Sequence, residues 1–200
     1  STVGGGYGNT ASGYRATVGG GYANTASGGS STIGGGRNNT ASGPDATVGG
    51  GKSNTASGDY ATVGGGQGNN ATAPHTTVGG GSQNTASGTN ATVGGGYSNT
   101  ASGYRATVGG GSTNNASGSY ATVGGGQNNT ASGANSAILG GITNNTNALA
   151  NAMIVGSNIT ASLANALHCN RLVITQIPVA SAGLPSGAIW SNGGTLKVVP

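Results

Sequence analysis

The sequence predicts an all-β fold, a parallel β-solenoid or β-roll of about eleven fifteen-residue coils closed by a small C-terminal β cap, and three observations lead there. A unit Ala-Thr-Val-Gly-Gly-Gly-x-x-Asn-Thr-Ala-Ser-Gly-x-x recurs from Thr2 to about Asn135. Within each unit apolar and polar residues alternate with period two, the signature of strand. The chain also carries 45 glycines in 200 residues, a density that a helix does not tolerate at about 1 kcal/mol each.

The first strand of a coil is Ala16-Thr17-Val18 and its equivalents, with Ala and Val on one face and Thr on the other. Its aliphatic marker forms the predicted core ladder at Val3, Val18, Ile33, Val48, Val63, Val78, Val93, Val108 and Val123. An extra residue after Gly133 extends that ladder to Leu139 and Val155 at spacings of sixteen, as the Gly triplet decays to Gly140-Gly141 and Gly156. The second strand is Asn24-Thr25-Ala26-Ser27, with Asn and Ala opposite Thr and Ser. Between the strands, Gly19, Gly20, Gly21 and Gly28 are expected to supply the positive φ that corners need. At a strand spacing of about 4.8 Å the coils stack into a rod on the order of 50 Å long. Each coil offers only one Val or Ile and two or three Ala to its interior. Backbone ladders and stacked Asn must therefore carry much of the stability, and a thin rod gains by sharing its core with copies of itself. A homo-oligomer is expected, the alternative being a monomeric solenoid with a tight Ala/Val interior.

The repeat domain is placed at 1–164 and a cap or assembly segment at 165–200. Arg171–Pro178 is a richer strand, Ser181–Gly187 a loop, and Ala188-Ile189-Trp190 through Gly193-Gly194 into Thr195–Val199 a hairpin. Trp190, the sole Trp, is the expected cap anchor. A cap of this kind covers strand edges that would otherwise template end-to-end growth.

Residues that carry chemistry are scarce: two acids, Asp45 and Asp59, two histidines, His75 and His168, and one thiol, Cys169. No catalytic residue, cofactor or metal is expected. Ala46–Ser53 satisfies a relaxed phosphate-loop pattern, but Lys52 occupies a slot that other coils fill with Tyr22, Arg37, Gln67 or Ser112. Adjacent strand residues His168 and Cys169 point to opposite faces, which argues against a nucleophile pair. Net charge is +4 from six basic residues with no cluster, so nucleic acid is not an expected partner, and no apolar run is long enough for a membrane span. The start at Ser1, partway through a coil, suggests a processed or partial chain. Sequons occur at Asn38, Asn70, Asn90, Asn128, Asn144 and Asn158, as so Asn- and Thr-rich a chain would produce by chance.

Every charged residue and all seven Tyr of the array fall at two variable pairs, one after the Gly triplet and one after Ser-Gly. Tyr7, Tyr14, Arg15, Tyr22, Tyr60, Tyr97, Tyr104, Arg105 and Tyr120 are the candidate surface contacts, either solvated decoration or an attachment stripe for a glycan, a neighbour or a cell-surface receptor.

The Ala-Thr-Val-Gly-Gly-Gly and Thr-Ala-Ser-Gly halves, over residues 2–162, resemble the haemagglutinin-type head repeat of trimeric autotransporter adhesins and related viral fibres. The resemblance implies a β-roll in a homotrimer with Ala16, Val18, Ala26 and their equivalents inside. The C-terminal stretch Ile177–Val199, especially Gly183–Gly194, resembles the closing segment of structural proteins from tailed phages and large DNA viruses. Together these imply an extracellular or virion-surface structural fibre with an adhesive role. An end-to-end polymerising filament subunit is one alternative. Ice binding is another, because Thr10 with Ser12, Thr25 with Ser27, Thr55 with Ser57, Thr85 with Ser87 and Thr100 with Ser102 would stack as hydroxyl rows. A glycan-cleaving fibre would need Asp45 and Asp59 as paired carboxylates, yet both sit at exposed corners without perturbing partners.

Overall fold

The computed structural model describes residues 1–171 and the strands Ile189–Asn192 and Thr195–Val198. It is all-β, with parallel sheets wound into a solenoid of about eleven turns. Each coil places Thr-Val in one sheet and Thr-Ala in another. The Thr-Val sheet has 12 strands, running from Thr2–Val3 through Ala137–Ile138 to Met153–Val155 and Leu167–Cys169. The Thr-Ala sheet has nine, from Thr10–Ala11 to Thr130–Ala131. Register is like on like, Thr17 on Thr32 and Val18 on Ile33, Thr25 on Thr40 and Ala26 on Ala41. A third ladder of single-residue parallel bridges joins Tyr7, Tyr22, Arg37, Lys52 and onward to Ile142.

The interior rows are those the alternation predicts: Ala16, Val18 and Ala26 and their equivalents are fully buried. Asn24 and its equivalents to Asn144 are buried beside them. Each Asn side chain ties its own coil to the next. Asn39 Nδ2 donates to the carbonyls of Gly35 at 3.0 Å and Gly51 at 2.9 Å, while Oδ1 accepts from the Asn54 N–H at 2.9 Å. Buried amides with this full complement of partners stand in for a large apolar core.

Three ladder positions differ from expectation. Leu139 and Val155 are 60% and 42% exposed, and the buried rungs are Ile138 and Ile154. Val123 pairs with Ile138, fifteen residues on, so no residue enters after Gly133; the extra one lies further along, where Ile138 pairs with Ile154. It is taken up around Asn147–Asn151, where Asn147, Ala148 and Asn151 all have positive φ. Val3 is 45% exposed because it belongs to the first rung, packed from one side only.

The glycines also divide differently. Of Gly19, Gly20, Gly21 and Gly28, only Gly21 has positive φ, at 98°. Gly19 and Gly28 are required for another reason: a Cβ on either would overlap the carbonyl oxygen of Gly34 or Gly43 on the next coil. Much of the left-handed backbone falls on non-glycine residues, including Ala23, Ser30, Asn38, Asp45, Ser53, Tyr60, His75 and Arg105, all at φ between 51° and 58°.

The chain forms two compact units, Ser1–Asn170 and Arg171–Pro200. The first runs six residues past the expected boundary because Leu167–Cys169 pairs in parallel with Met153–Val155 as one more rung. In the second, Ile189–Asn192 pairs antiparallel with Thr195–Val198, Asn192 opposite Thr195, which is the hairpin the Gly193-Gly194 dipeptide predicts. Trp190 lies opposite Lys197 in that hairpin. The expected strand over Leu172–Pro178 and the loop over Ser181–Gly187 lie outside the described residues, as does any packing of the Trp190 side chain.

Candidate interaction surface

Two edges of the coil carry the variable side chains. The first is the bridge ladder after the Gly triplet, where Tyr7, Tyr22, Arg37, Lys52, Gln67 and Tyr97 are all exposed. Stacked parallel backbones bring equivalent side chains into line, so Tyr7 and Tyr22 stack with ring centroids 5.5 Å apart and planes at 15°. Lys52 bridges Arg37 and Gln67 in this ladder and leads into the strand Thr55–Ala56, so the phosphate-loop pattern has no helix behind it.

The second edge follows Ser-Gly. Its second residue is left-handed in successive coils, Arg15, Ser30, Asp45, Tyr60, His75, Asn90, Arg105 and Tyr120. Its N–H reaches back one coil, as Tyr60 does to the Pro44 carbonyl at 2.8 Å and Tyr120 to that of Tyr104 at 2.7 Å. The backbone of this edge is thereby held while its side chains project into solvent. Tyr60 and His75 stack face to face at 5.0 Å. Tyr104 and Tyr120 meet edge to face at 5.5 Å, and the Arg105 guanidinium lies 5.0 Å from the first ring and 5.7 Å from the second. The same Tyr-Arg pair occurs at Tyr14 and Arg15, where the guanidinium is 5.0 Å from one ring and the next coil offers only Gly29 and Ser30.

The nine predicted contact residues are therefore all exposed, and the coil sorts them onto two edges rather than gathering them at one place. Tyr97 stands alone on the first edge, with Ser82 and Ser112 as its ladder neighbours. Asp45 takes the second position of its corner pair and Asp59 the first, so they do not share a column. His168 lies in register with buried Ile154 and Cys169 with exposed Val155, on opposite faces of the last rung.

The two sheets present further outward rows, the first of them the hydroxyl rows expected from the Thr-x-Ser spacing. Outward hydroxyl rows run along the Thr-Ala sheet, Thr25, Thr40 and Thr55 half-buried beside exposed Ser27, Ser42 and Ser57. Along the Thr-Val sheet the outward rows are Thr and Gly for nine coils and then become apolar at Leu139, Met153, Val155 and Leu167. Among the described residues there is no cavity and no cluster of three or more potential metal ligands, and no helix is long and apolar enough to cross a membrane. The geometry defines a β-solenoid repeat protein whose variable chemistry is confined to its surface. Compared with known proteins, the sequence matches no family model and no curated protein.

Proposed function

We propose that the chain is the rod of an extracellular or virion-surface fibre, which associates with copies of itself and presents its edge side chains to a glycan or host surface. The observation that carries this reading is the separation of roles within the coil. Within the repeat array from Thr2 to Asn135, inward positions repeat with little change, Ala, Val and Asn, while Tyr, Arg, Lys, Asp and His occupy only the variable corner slots, where side chains are exposed. Such a scaffold displays side chains at a fixed rise of about 4.8 Å and suits extended ligands met by several rungs at once. The resemblance of the repeat to adhesin heads, and of the closing segment to phage and large-virus structural proteins, supports the same reading, with a trimer as the expected assembly. Light scattering paired with negative-stain imaging tests it. Discrete short rods of about three chains, or filaments if copies join end to end, are the expected outcomes, and a monomer at micromolar concentration would overturn the assembly. Glycan binding lost in Tyr104→Ala/Tyr120→Ala tests the adhesive role.

A second reading, ice binding, is favoured by the outward Thr and Ser rows of the Thr-Ala sheet, whose side chains stand in columns one rung apart. The rows are interrupted where Asn70 and Asn115 replace Thr. A thermal-hysteresis measurement decides: no freezing-point gap at millimolar protein ends this reading.

A further inference from the structure

The first edge gathers its large polar side chains at one end of the rod. Over successive rungs the bridge ladder carries Tyr7, Tyr22, Arg37, Lys52 and Gln67, all exposed, whereas beyond them Ser82 and Ser112 flank Tyr97. In each of these coils Gly precedes the slot and Gly, Ala, Asn or Ser follows it, so the row stands as a ridge one side chain wide. The middle of the ridge is cationic. Arg37 pairs directly with Lys52 in parallel register, and like charges opposite one another are unfavourable across a ladder. No acid occupies either variable position of this edge, while the chain's two acids, Asp45 and Asp59, stand on the second edge of the same two coils. At these rungs the rod is therefore positive along one edge and negative along the other.

We infer that this ridge binds a linear chain of uronic acid sugars laid along the rod axis, with carboxylates on Arg37 and Lys52. The inference rests on the attachment reading proposed above and gives one of the two edges a ligand class. Charge selects an anion: a carboxylate set between the two cations offsets their repulsion and gains charge-assisted hydrogen bonds, bidentate where it meets the Arg37 guanidinium. Width selects a single extended chain, because a ridge one side chain wide offers too little area to hold a globular partner. Spacing selects a polysaccharide. Rungs repeat at about 4.8 Å, nearly the advance of one 1,4-linked pyranose, so successive sugars meet successive rungs. An extended peptide turns side chains to one face only every ~6.8 Å and falls out of step within a few rungs. On one side of the charged pair Tyr7 and Tyr22, stacked 5.5 Å apart, offer phenol hydroxyls to the sugar hydroxyls, and on the other side Gln67 offers its amide.

The test is calorimetric binding of galacturonate oligosaccharides, from disaccharide to octamer, to the unaltered chain and to Arg37→Gln/Lys52→Gln. Maltohexaose serves as the neutral chain of the same linkage. Gln is the side chain the next rung already carries at Gln67, so the variant is expected to keep its fold, and circular dichroism follows it. The expected association constant rises with length to about five sugars, one per rung of the ridge, and then levels. It falls about tenfold in the Gln variant, falls with added salt, and is about tenfold weaker for maltohexaose. Arg37→Lys/Lys52→Arg, which keeps both charges, retains binding. A constant that already levels at the disaccharide overturns the axial alignment. Equal affinity for poly-glutamate or single-stranded DNA of matched charge overturns the sugar class. Binding unchanged in the Gln variant, or galacturonate ignored while other glycans on an array are held, overturns the inference and leaves the attachment reading standing. An array on which the unaltered chain holds nothing overturns both.

Discussion

In a solenoid with so few large apolar residues, a buried amide should matter more than a buried aliphatic. Asn84, in mid-rod, makes the comparison. Its Nδ2 donates to the Gly80 and Gly96 carbonyls at 2.9 Å each, and its Oδ1 accepts from the Asn99 N–H at 2.9 Å. Asn84→Ala removes all three bonds, at about 1 kcal/mol net apiece, and leaves the Asn99 N–H buried without its partner, a further penalty of about 1–3 kcal/mol. The expected loss is about 4–6 kcal/mol. Val78→Ala removes two methyl groups from the same interior and should cost about 2–3 kcal/mol, cavity included. Asn84→Asp nearly preserves volume and the acceptor but turns an anionic oxygen toward two carbonyls, so it should be at least as damaging as Ala. Urea unfolding followed by circular dichroism, at one protein concentration because association shifts the midpoint, ranks the three. If Asn84→Ala proves milder than Val78→Ala, or Asn84→Asp is tolerated, the Asn ladder is a passenger and the argument that it substitutes for a core is wrong.

The glycines give a second contrast. Gly103→Ala should cost more than about 2 kcal/mol, because its Cβ would overlap the Gly118 carbonyl on the next coil, whereas Gly110→Ala, whose nearest neighbour is the Gly95 oxygen at 3.9 Å, should be neutral or stabilising by up to about 1 kcal/mol in the same unfolding measurement. Register predicts a third: Ile138→Ala should lose about 2–5 kcal/mol and Leu139→Ala should change the stability of the dissociated chain by under about 0.5 kcal/mol, and the opposite order would restore the sixteen-residue spacing. Gly68, at φ 65° where other coils place Ala23, Asn38 or Ser53, should accept Asn with a gain of about 0.5–1 kcal/mol by thermal denaturation.

The architecture was legible because its cause is local and repeated. Period-two alternation in Asn24-Thr25-Ala26 states which side chains turn inward, and nine repetitions at a constant spacing leave one stacking register. The register was lost where the repeat decays. Ile138-Leu139-Gly140-Gly141 offers two aliphatic residues before a Gly pair, and anchoring on the Gly selects the wrong one. The Asn row held the correct signal, since Asn144 follows Asn129 by fifteen and the inserted residue must come after it. Glycine misleads for a different reason. Local sequence suggests positive φ wherever Gly recurs, whereas the Gly19 and Gly28 columns answer to the approach of the next coil, a non-local fact. The contact edges were legible as variable slots, but which residues meet across rungs, such as Tyr60 with His75, depends on the rotamers the stack permits.

The same separation of roles says where selection for binding could act. A corner residue in the left-handed region carries a conformational cost that falls on almost any side chain alike, and the chain bears it at Ala23, Ser53, Gln83, Ser98 and Thr113 without any shared chemistry among them. Their identity is therefore free of the fold, which makes departures from small polar residues informative. The aromatic edge residues mostly come as neighbours on adjacent rungs, Tyr7 with Tyr22, Tyr60 with His75, Tyr104 with Tyr120. Pairing of that kind shields one ring face and leaves edges and hydroxyls outward, so each pair offers a wide, weak contact rather than a pocket. Affinity for any extended ligand must then come from several pairs engaged together along the rod.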